Sequence, residues 1–130
     1  MGTPRGLRIG AALAILAQTA WVAPAGAAQA VRGPEQRQAL IDLAFVLGEA
    51  HALHRTCAGP TDDTWRGRMR TLLQVEAPPE SLKTKLTESF NAGFSAKDAQ
   101  AKDCKAASEL EAKLARRGAE LARRLSANSP

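Results

Sequence analysis

The stretch "LAFVLGEAHALHRTC" (residues 43–57) decides the fold, because its apolar residues recur at steps of three and four. Residues at that spacing share one face of an α-helix, and Leu43, Leu47 and Ala50 form the centre of this face. Upstream, Pro34 suits the first turn of a helix, and downstream Gly59-Pro60 breaks the pattern. The spacing therefore predicts an amphipathic helix over about residues 34–56.

The same three-four spacing predicts further helices over about residues 62–76, 79–91 and 96–125. We expect Thr61 to be the N-cap of the second helix, Asn91-Ala92-Gly93 to be a turn, and Ser95 to be the N-cap of the last helix. Alternation of apolar and polar residues is absent, and valine and isoleucine are few. The predicted fold is all-α, most simply a small antiparallel bundle of about four helices.

The N-terminus has the order of a secretory signal peptide. Two arginines precede an apolar run over residues 9–23, and small residues follow with an A-x-A pattern that favours cleavage after Ala27. The run has about 15 residues, which is short of the roughly 20 that span a bilayer. We expect residues 1–27 to be removed and residues 28–130 to form one periplasmic domain, with a core over about 34–125 and a frayed tail over 126–130.

The composition argues against several classes of function. The formal net charge of +5 is a mild excess spread along the chain, and an exported protein does not meet nucleic acid. The sequence contains no Gly-rich phosphate loop, no serine nucleophile motif and no C-x-x-C pair. The carboxylates Glu109 and Glu111 are interpreted as part of a solvated helix face. We therefore expect a non-enzymatic protein without a catalytic residue, a cofactor or a membrane span after cleavage.

The two cysteines, Cys57 and Cys104, are best explained as a disulfide, because an even count is typical of small exported domains. Both continue the apolar faces of their predicted helices, so we expect the sulfurs to meet where those faces join. A metal site is the alternative: His51, His54 and Cys57 are spaced by three residues and are ligands that zinc or copper accepts. The six residues between His51 and Cys57 weaken this alternative, because they spread the two side chains around the helix.

Three stretches, "LAFVLGEAHALHRTC" (43–57), "DDTWRGRMRTLL" (62–73) and "FNAGFSA" (90–96), with Cys104 after them, carry a resemblance to a known family. The chain resembles an uncharacterised family of exported alphaproteobacterial proteins with two well-separated cysteines. The resemblance implies a location in the cell envelope and a disulfide. It implies no activity and no catalytic residues.

Two interpretations of the polar residues in these stretches stay open. In the structural one, Trp65 anchors the second helix, Arg66 pairs with Glu49 or Asp63, and Gly93 is a turn residue. In the functional one, a polar groove binds a peptide, a glycan fragment or a partner loop, and it is lined by Glu49, Arg55, Arg66 and Asn91. The sequence thus predicts a binding or structural protein of the envelope with a protein or cell-wall partner. The alternative is a periplasmic metal or small-ligand carrier.

Overall fold

A computed structural model of the chain describes residue 2 and residues 32–98 and 103–128. Apart from residue 2, the predicted signal peptide with its cleavage site lies outside the described residues, as do the last two residues of the predicted tail. The described part contains four helices and no strand: α1 Pro34–Ala58, α2 Thr64–Glu76, α3 Glu80–Asp98 and α4 Cys104–Ala127. The predicted all-α class is confirmed. No helix in this part combines the length and apolarity that a membrane crossing requires.

α1 begins and ends as its sequence predicts. Pro34 occupies the first turn, and the side-chain oxygen of Gln36 accepts a hydrogen bond from the backbone N–H of Gly33 at 3.1 Å. At the other end, Gly59 has a φ of 98° and its N–H donates to the carbonyl of Arg55. A positive φ favours glycine because it has no Cβ, so Gly59 ends the helix.

Contacts between helix ends show how the bundle is arranged. Arg32, just before α1, donates to both carboxylate oxygens of Glu76 at the end of α2 (2.6 and 2.8 Å) and to the Leu125 carbonyl near the end of α4. The Cys57–Cys104 disulfide joins the end of α1 to the start of α4. α1 therefore runs antiparallel to α2 and to α4.

α3 runs in the same direction as α1. The Ser89 hydroxyl near the middle of α3 donates to the Ile41 carbonyl in the first half of α1, and Lys97 near the end of α3 lies 3.8 Å from Glu49, farther along α1. Consecutive helices are thus antiparallel.

α1 is the centre of the bundle, because it packs against each of the other three helices. Within the described residues those three helices make few contacts with one another. The buried surface of α1 is therefore wider than the single apolar face that the sequence predicts. Side chains on nearly every side of its middle section are buried, as expected for a helix that is surrounded. The buried residues of α1 are Leu40, Leu43, Ala44, Val46, Leu47, Gly48, Glu49, Ala50, His51, Ala52 and Leu53.

α1 and α3 approach each other closely at two glycines, and this corrects the predicted turn at Gly93. A Cβ at Gly48 would lie 1.9 Å from the Phe90 carbonyl oxygen, and one at Gly93 would lie 2.1 Å from the Phe45 carbonyl oxygen. Since real Cβ atoms do not approach this closely, only glycine permits the contact. Gly93 thus serves helix packing and lies inside α3.

The prediction that Ser95 caps the last helix is also wrong, because α3 continues through Ser95 to Asp98. The last helix begins instead at Cys104, and the Asp103 carboxylate accepts a hydrogen bond from the Ala106 N–H at 2.9 Å. In α2 the boundary differs less. α2 begins at Thr64 and its N-cap residue is Asp63, so the prediction that Thr61 is the N-cap is wrong. The Asp62 carboxylate accepts the Thr64 N–H at 3.0 Å, which lowers the pKa of the Asp62 carboxyl.

Candidate binding site

An apolar groove of about 370 Å³ lies between α2 and α4, with α1 as its floor. We call it the α2–α4 groove. The floor is formed by Leu43, Val46 and Leu47, the α2 wall by Trp65, Arg68, Thr71, Leu72 and Val75, and the α4 wall by Ala115, Gly118, Ala119 and Ala122. Only Arg68 and Thr71 among these twelve side chains are polar, so the groove offers apolar contact rather than hydrogen bonds.

The groove exists because the side chains on the α4 wall are too small to reach α2. Ala115, Gly118, Ala119 and Ala122 are spaced i, i+3, i+4 and i+7, which places them on one face of α4. On the opposite wall Val75 is 58% exposed, an unusual degree for a large apolar side chain in this domain. An exposed apolar surface of this kind is typical of interaction sites.

Two arginines, Arg68 in the α2 wall and the exposed Arg116 on α4 beside the groove, have no acidic partner within the described residues. The Arg68 guanidinium lies over the Trp65 ring, 4.2 Å from its centroid. Arg116, one turn before Ala119, has no hydrogen bond or ion pair within the described part of the chain. The nearby carboxylates are engaged, because Glu120 pairs with Arg123 and Arg124, and Asp63 pairs with Arg66 and Arg70. The rim of the groove is therefore positive.

A polar cluster fixes Trp65 at one end of the groove. The indole N–H of Trp65 donates to Glu111 Oε1 at 2.7 Å, and His54 Nδ1 lies 2.9 Å from the same oxygen. His54 Nε2 lies 3.4 Å from Asp62 Oδ1. Glu111 thus connects α1, α2 and α4, and the prediction that it belongs to a solvated face is wrong. Trp65 is buried and anchors α2, as the structural interpretation expects.

The predicted disulfide is confirmed, but its place differs from the expectation. The Cα atoms of Cys57 and Cys104 are 4.8 Å apart. Both residues are exposed, whereas the sequence predicts that they meet in the core. The reason is that Cys57 is in the last turn of α1 and Cys104 is the first residue of α4, so the bond closes the end of the bundle. This end also holds the Trp65 cluster.

Three of the four residues of the predicted polar groove have separate partners, and the fourth, Asn91, is exposed. Glu49 is buried and lies 3.8 Å from Lys97, and the Arg55 guanidinium lies 5.3 Å from the Phe94 ring centroid. Arg66 lies 3.8 Å from Asp63, and Asn91 is exposed on α3. No hydrogen bond or ion pair joins any two of the four within the described residues. A groove formed by them stays a prediction.

The residues of the metal hypothesis are likewise placed apart. His51 is 1% exposed and lies between the rings of Phe90 and Phe94, with centroids 5.8 and 5.4 Å away. The sulfur of Cys57 is bonded to Cys104. Over residues 32–98 and 103–128, no group of three or more His, Cys, Asp and Glu is placed to hold a metal ion. This placement gives the metal hypothesis no support, and it stays a prediction.

The buried His51 is one of three polar side chains whose hydrogen-bonding capacity is incompletely used. Its Nδ1 atom, Glu49 Oε2 and Arg55 Nε are all buried without a hydrogen-bond partner among the described residues. Burial lowers the pKa of His51, and the nearby Arg66 and Arg55 guanidinium groups lower it further. His51 is therefore a neutral side chain packed among aromatic rings, which is a structural rather than a ligand-binding environment.

A larger concavity, of about 890 Å³, lies between the start of α1 and the end of α4. Gly33 and Asn128 border it, next to the points where the chain continues beyond the described residues. The α2–α4 groove is bordered only by helices and is therefore the candidate binding site. Its main residues were absent from the sequence prediction, although the i, i+3, i+4, i+7 spacing of small residues in α4 was visible there.

Comparison with known protein families identifies the family of this chain. A family described as "Protein of unknown function (DUF2385)" matches residues 35–128. No curated protein and no solved structure matches the chain significantly. The matched region contains both cysteines, the polar cluster and every residue of the α2–α4 groove. Because the match covers most of the sequence and the whole candidate site, this chain belongs to the DUF2385 family.

Proposed function

We propose that the chain is a non-enzymatic protein of the cell envelope that binds another protein through the α2–α4 groove. The observation that carries this proposal is the groove itself, which is apolar, bounded by three helices and open to solvent. Exposed apolar surfaces of this kind on small domains are typical of protein–protein interfaces.

The polar cluster at the end of the groove supports the proposal. A binding surface that is rigid before association loses little conformational entropy when a partner binds. The hydrogen bond from Trp65 to Glu111 holds the indole in one orientation, and Arg68 covers the ring. Because Trp65 is only 6% exposed, the cluster serves to hold the end of the groove in a fixed shape before a partner arrives.

Two features of the chain support a location outside the cytoplasm. Residues 1–27 have the order of a secretory signal peptide, and Cys57 and Cys104 form a disulfide. Disulfides persist in oxidising compartments such as the bacterial periplasm, and they are rare in the cytosol. The proposed location is therefore the periplasm, after cleavage of the signal peptide.

The location is tested by fractionating the native cells and recording a native mass spectrum of the chain without reductant. We expect the periplasmic fraction to contain a chain that begins at Ala28 and has two hydrogens fewer than the reduced form. An uncleaved chain in the cytoplasm with both thiols reduced would contradict the proposal.

Binding is tested by crosslinking in the same cells, comparing two variants of α2 that add the same charge. Val75→Glu places a carboxylate in the groove, whereas Gln74→Glu places one on a neighbouring exposed face. We expect Val75→Glu to abolish a specific crosslinked complex and Gln74→Glu to leave it unchanged. If both variants retain the complex, the groove is not the binding site.

A further inference from the structure

We propose that the occupant of the α2–α4 groove is an amphipathic helix of a partner protein, with apolar side chains on one face and acidic residues beside them. The inference rests on the proposed binding function and specifies the chemistry of the partner.

The shape of the groove favours a helix. Its α4 wall is the row of small residues Ala115, Gly118, Ala119 and Ala122, and small side chains let a second helix approach closely. The wall from Trp65 to Val75 covers about 15 Å at 1.5 Å per residue, which matches about three turns of a helix. A docked helix would lie beside α2 and α4 on the floor that α1 supplies, and it would bind by the helix-in-groove mode.

The positive charge at the rim of the groove favours a partner helix that carries acidic residues. Arg68 lines the α2 wall, and Arg116 is exposed on α4 one turn before the lining residue Ala119. Neither has a carboxylate partner in the described part of the chain. An amphipathic helix with Glu or Asp on either side of its apolar face would pair with both. Such pairing directs association and excludes partners of like charge.

The same charges argue against a second copy of this chain as the occupant. In a two-fold symmetric dimer the same patch lies on both subunits, so each rim would meet an identical positive rim. Arg68 is the charged residue of the groove lining, which contains no carboxylate that could pair with the Arg68 of a second copy. Like charges in direct opposition are destabilising, so symmetric pairing through the groove is disfavoured.

The first experiment identifies the occupant by placing a photo-crosslinking amino acid at Ala119 of the full chain in its native cells. The control position is Ala96, an exposed alanine on α3. We expect an adduct from Ala119 and none from Ala96. Mass spectrometry of the adduct should give a partner segment with apolar residues at i, i+3, i+4 and i+7 and with more acidic than basic residues.

The outcomes separate this inference from the proposed function. A segment of another protein that is basic or lacks the helical pattern overturns the acidic-helix inference and leaves the binding function standing. An adduct to lipid, or to the chain itself, overturns the inference and contradicts protein binding through the groove. No adduct above the level of the control overturns both.

The second experiment measures the affinity of a synthetic peptide with the mapped sequence by fluorescence anisotropy. Arg68→Glu and Arg116→Glu should each raise Kd about tenfold, as expected for reversing a charge that is paired in the complex. Lys85→Glu on α3 changes the net charge equally and should leave Kd within about twofold. Because Arg116 is exposed and has no ion pair within residues 32–98 and 103–128, we expect its reversal to leave the fold unchanged. If Arg116→Glu and Lys85→Glu have equal effects, the charge assignment is wrong.

Discussion

α1 and α4 have nearly the same length, 25 and 24 residues, but they differ in how much of their surface is buried. In α1 eleven residues are buried, and they surround the helix from Leu40 to Leu53. In α4 only Ala107 and Leu125 are fully buried, and a row of partly buried leucines lies between them. α1 is thus enclosed by the other helices, and α4 packs on it with one face.

The two helices therefore have different roles: α1 forms the core, and α4 leaves part of its surface available for binding. A helix enclosed on all sides sets the shape of the core, and each of its positions is constrained by a neighbouring element. A helix that packs with one face keeps its other faces for solvent or for a partner. The groove is formed where the small residues of α4 and the short helix α2 leave part of the bundle surface uncovered.

The largest expected effect is that of Gly48→Ala at the α1–α3 contact. The new Cβ would lie 1.9 Å from the Phe90 carbonyl oxygen, and a helix backbone cannot move aside as a flexible side chain does. Because overpacking of a core commonly costs 1–3 kcal/mol and sometimes more, we expect a loss of about 3 kcal/mol or more. Urea unfolding followed by circular dichroism measures the change.

The control for this experiment is Gly67→Ala in α2, where the nearest atom to the new Cβ belongs to the flexible Arg70 side chain, 3.6 Å away. We expect this variant to be as stable as the wild type or slightly more stable. Equal stability of the Gly48 and Gly67 variants would refute the close approach of α1 and α3.

The disulfide is next in size, because it attaches the start of α4 to the end of α1. The bond spans 47 residues, for which the chain-entropy model gives about 4 kcal/mol as an upper figure. We expect the double variant Cys57→Ala, Cys104→Ala to lose about 2–4 kcal/mol of unfolding free energy, measured by urea titration. Treating the wild type with a reductant should give a similar loss. A loss below about 1 kcal/mol would mean that helix packing alone positions α4.

A substitution at Glu111 tests the contacts that α4 makes with α1 and α2 at the end of the groove where the polar cluster lies. Glu111→Ala leaves the buried Trp65 N–H without its acceptor and removes a partner of His54. Loss of a partner for a buried polar group costs about 1–3 kcal/mol, so we expect a loss in that range. Glu109→Ala, an exposed position on the same helix, should change stability by less than about 0.5 kcal/mol. Thermal unfolding of the two variants side by side distinguishes them.

The sequence predicted the features that depend on local pattern. The spacing in "LAFVLGEAHALHRTC" gave α1 within two residues at its end, because periodicity, Pro34 and Gly59 all indicate the same bounds. The cysteine count predicted the disulfide. These features follow from rules that act within one helix or on composition.

The features that were missed depend on how helices meet. Gly93 has the sequence signature of a turn, yet it lies inside α3 because α1 approaches there. Glu111 belongs by spacing to the side of α4, yet Trp65 and His54 reach it from two other helices. The predicted polar residues Arg66 and Asn91 are on the surface, while the groove forms from alanines that carry no chemistry of their own. Contacts between segments distant in sequence leave no local pattern.

His51 provides a smaller effect, which depends on pH. Burial and the Arg66 and Arg55 guanidinium groups lower the pKa of His51, and the carboxylates of Asp62 and Asp63 oppose this in part. Below the ordinary value of 6.5, the unfolded chain binds a proton at this residue that the folded chain does not. Stability should therefore fall as the pH decreases below 6.5 and be fully present above it.

The pH effect is measured by urea unfolding on both sides of that value and by following the His51 ring in an NMR titration. The variant His51→Leu should show a weaker decrease in stability at low pH, whereas His54→Gln retains the contribution of His51. An NMR midpoint at or above 6.5 for His51 would contradict the effect of its burial.

The smallest expected change in stability is that of Gly118→Ala in α4. The same replacement of glycine by alanine at Gly48 in α1 is expected to be the most destabilising. In Gly118→Ala the new Cβ would lie 3.5 Å from Val46 Cγ1 and 3.7 Å from Leu43 Cδ1, which is ordinary contact. Since alanine is favoured over glycine inside a helix by about 1 kcal/mol, we expect a gain of about 0.5–1 kcal/mol in unfolding free energy. A loss of stability would show that α4 packs on α1 as tightly as α3 does, and the distinction between the two helices would fail. A gain would show that glycine at position 118 is not required for folding. The extra methyl group lies on the α4 wall of the groove, next to the floor residues Val46 and Leu43, so the stabilised variant should also bind the partner helix more weakly, as an increase in peptide Kd.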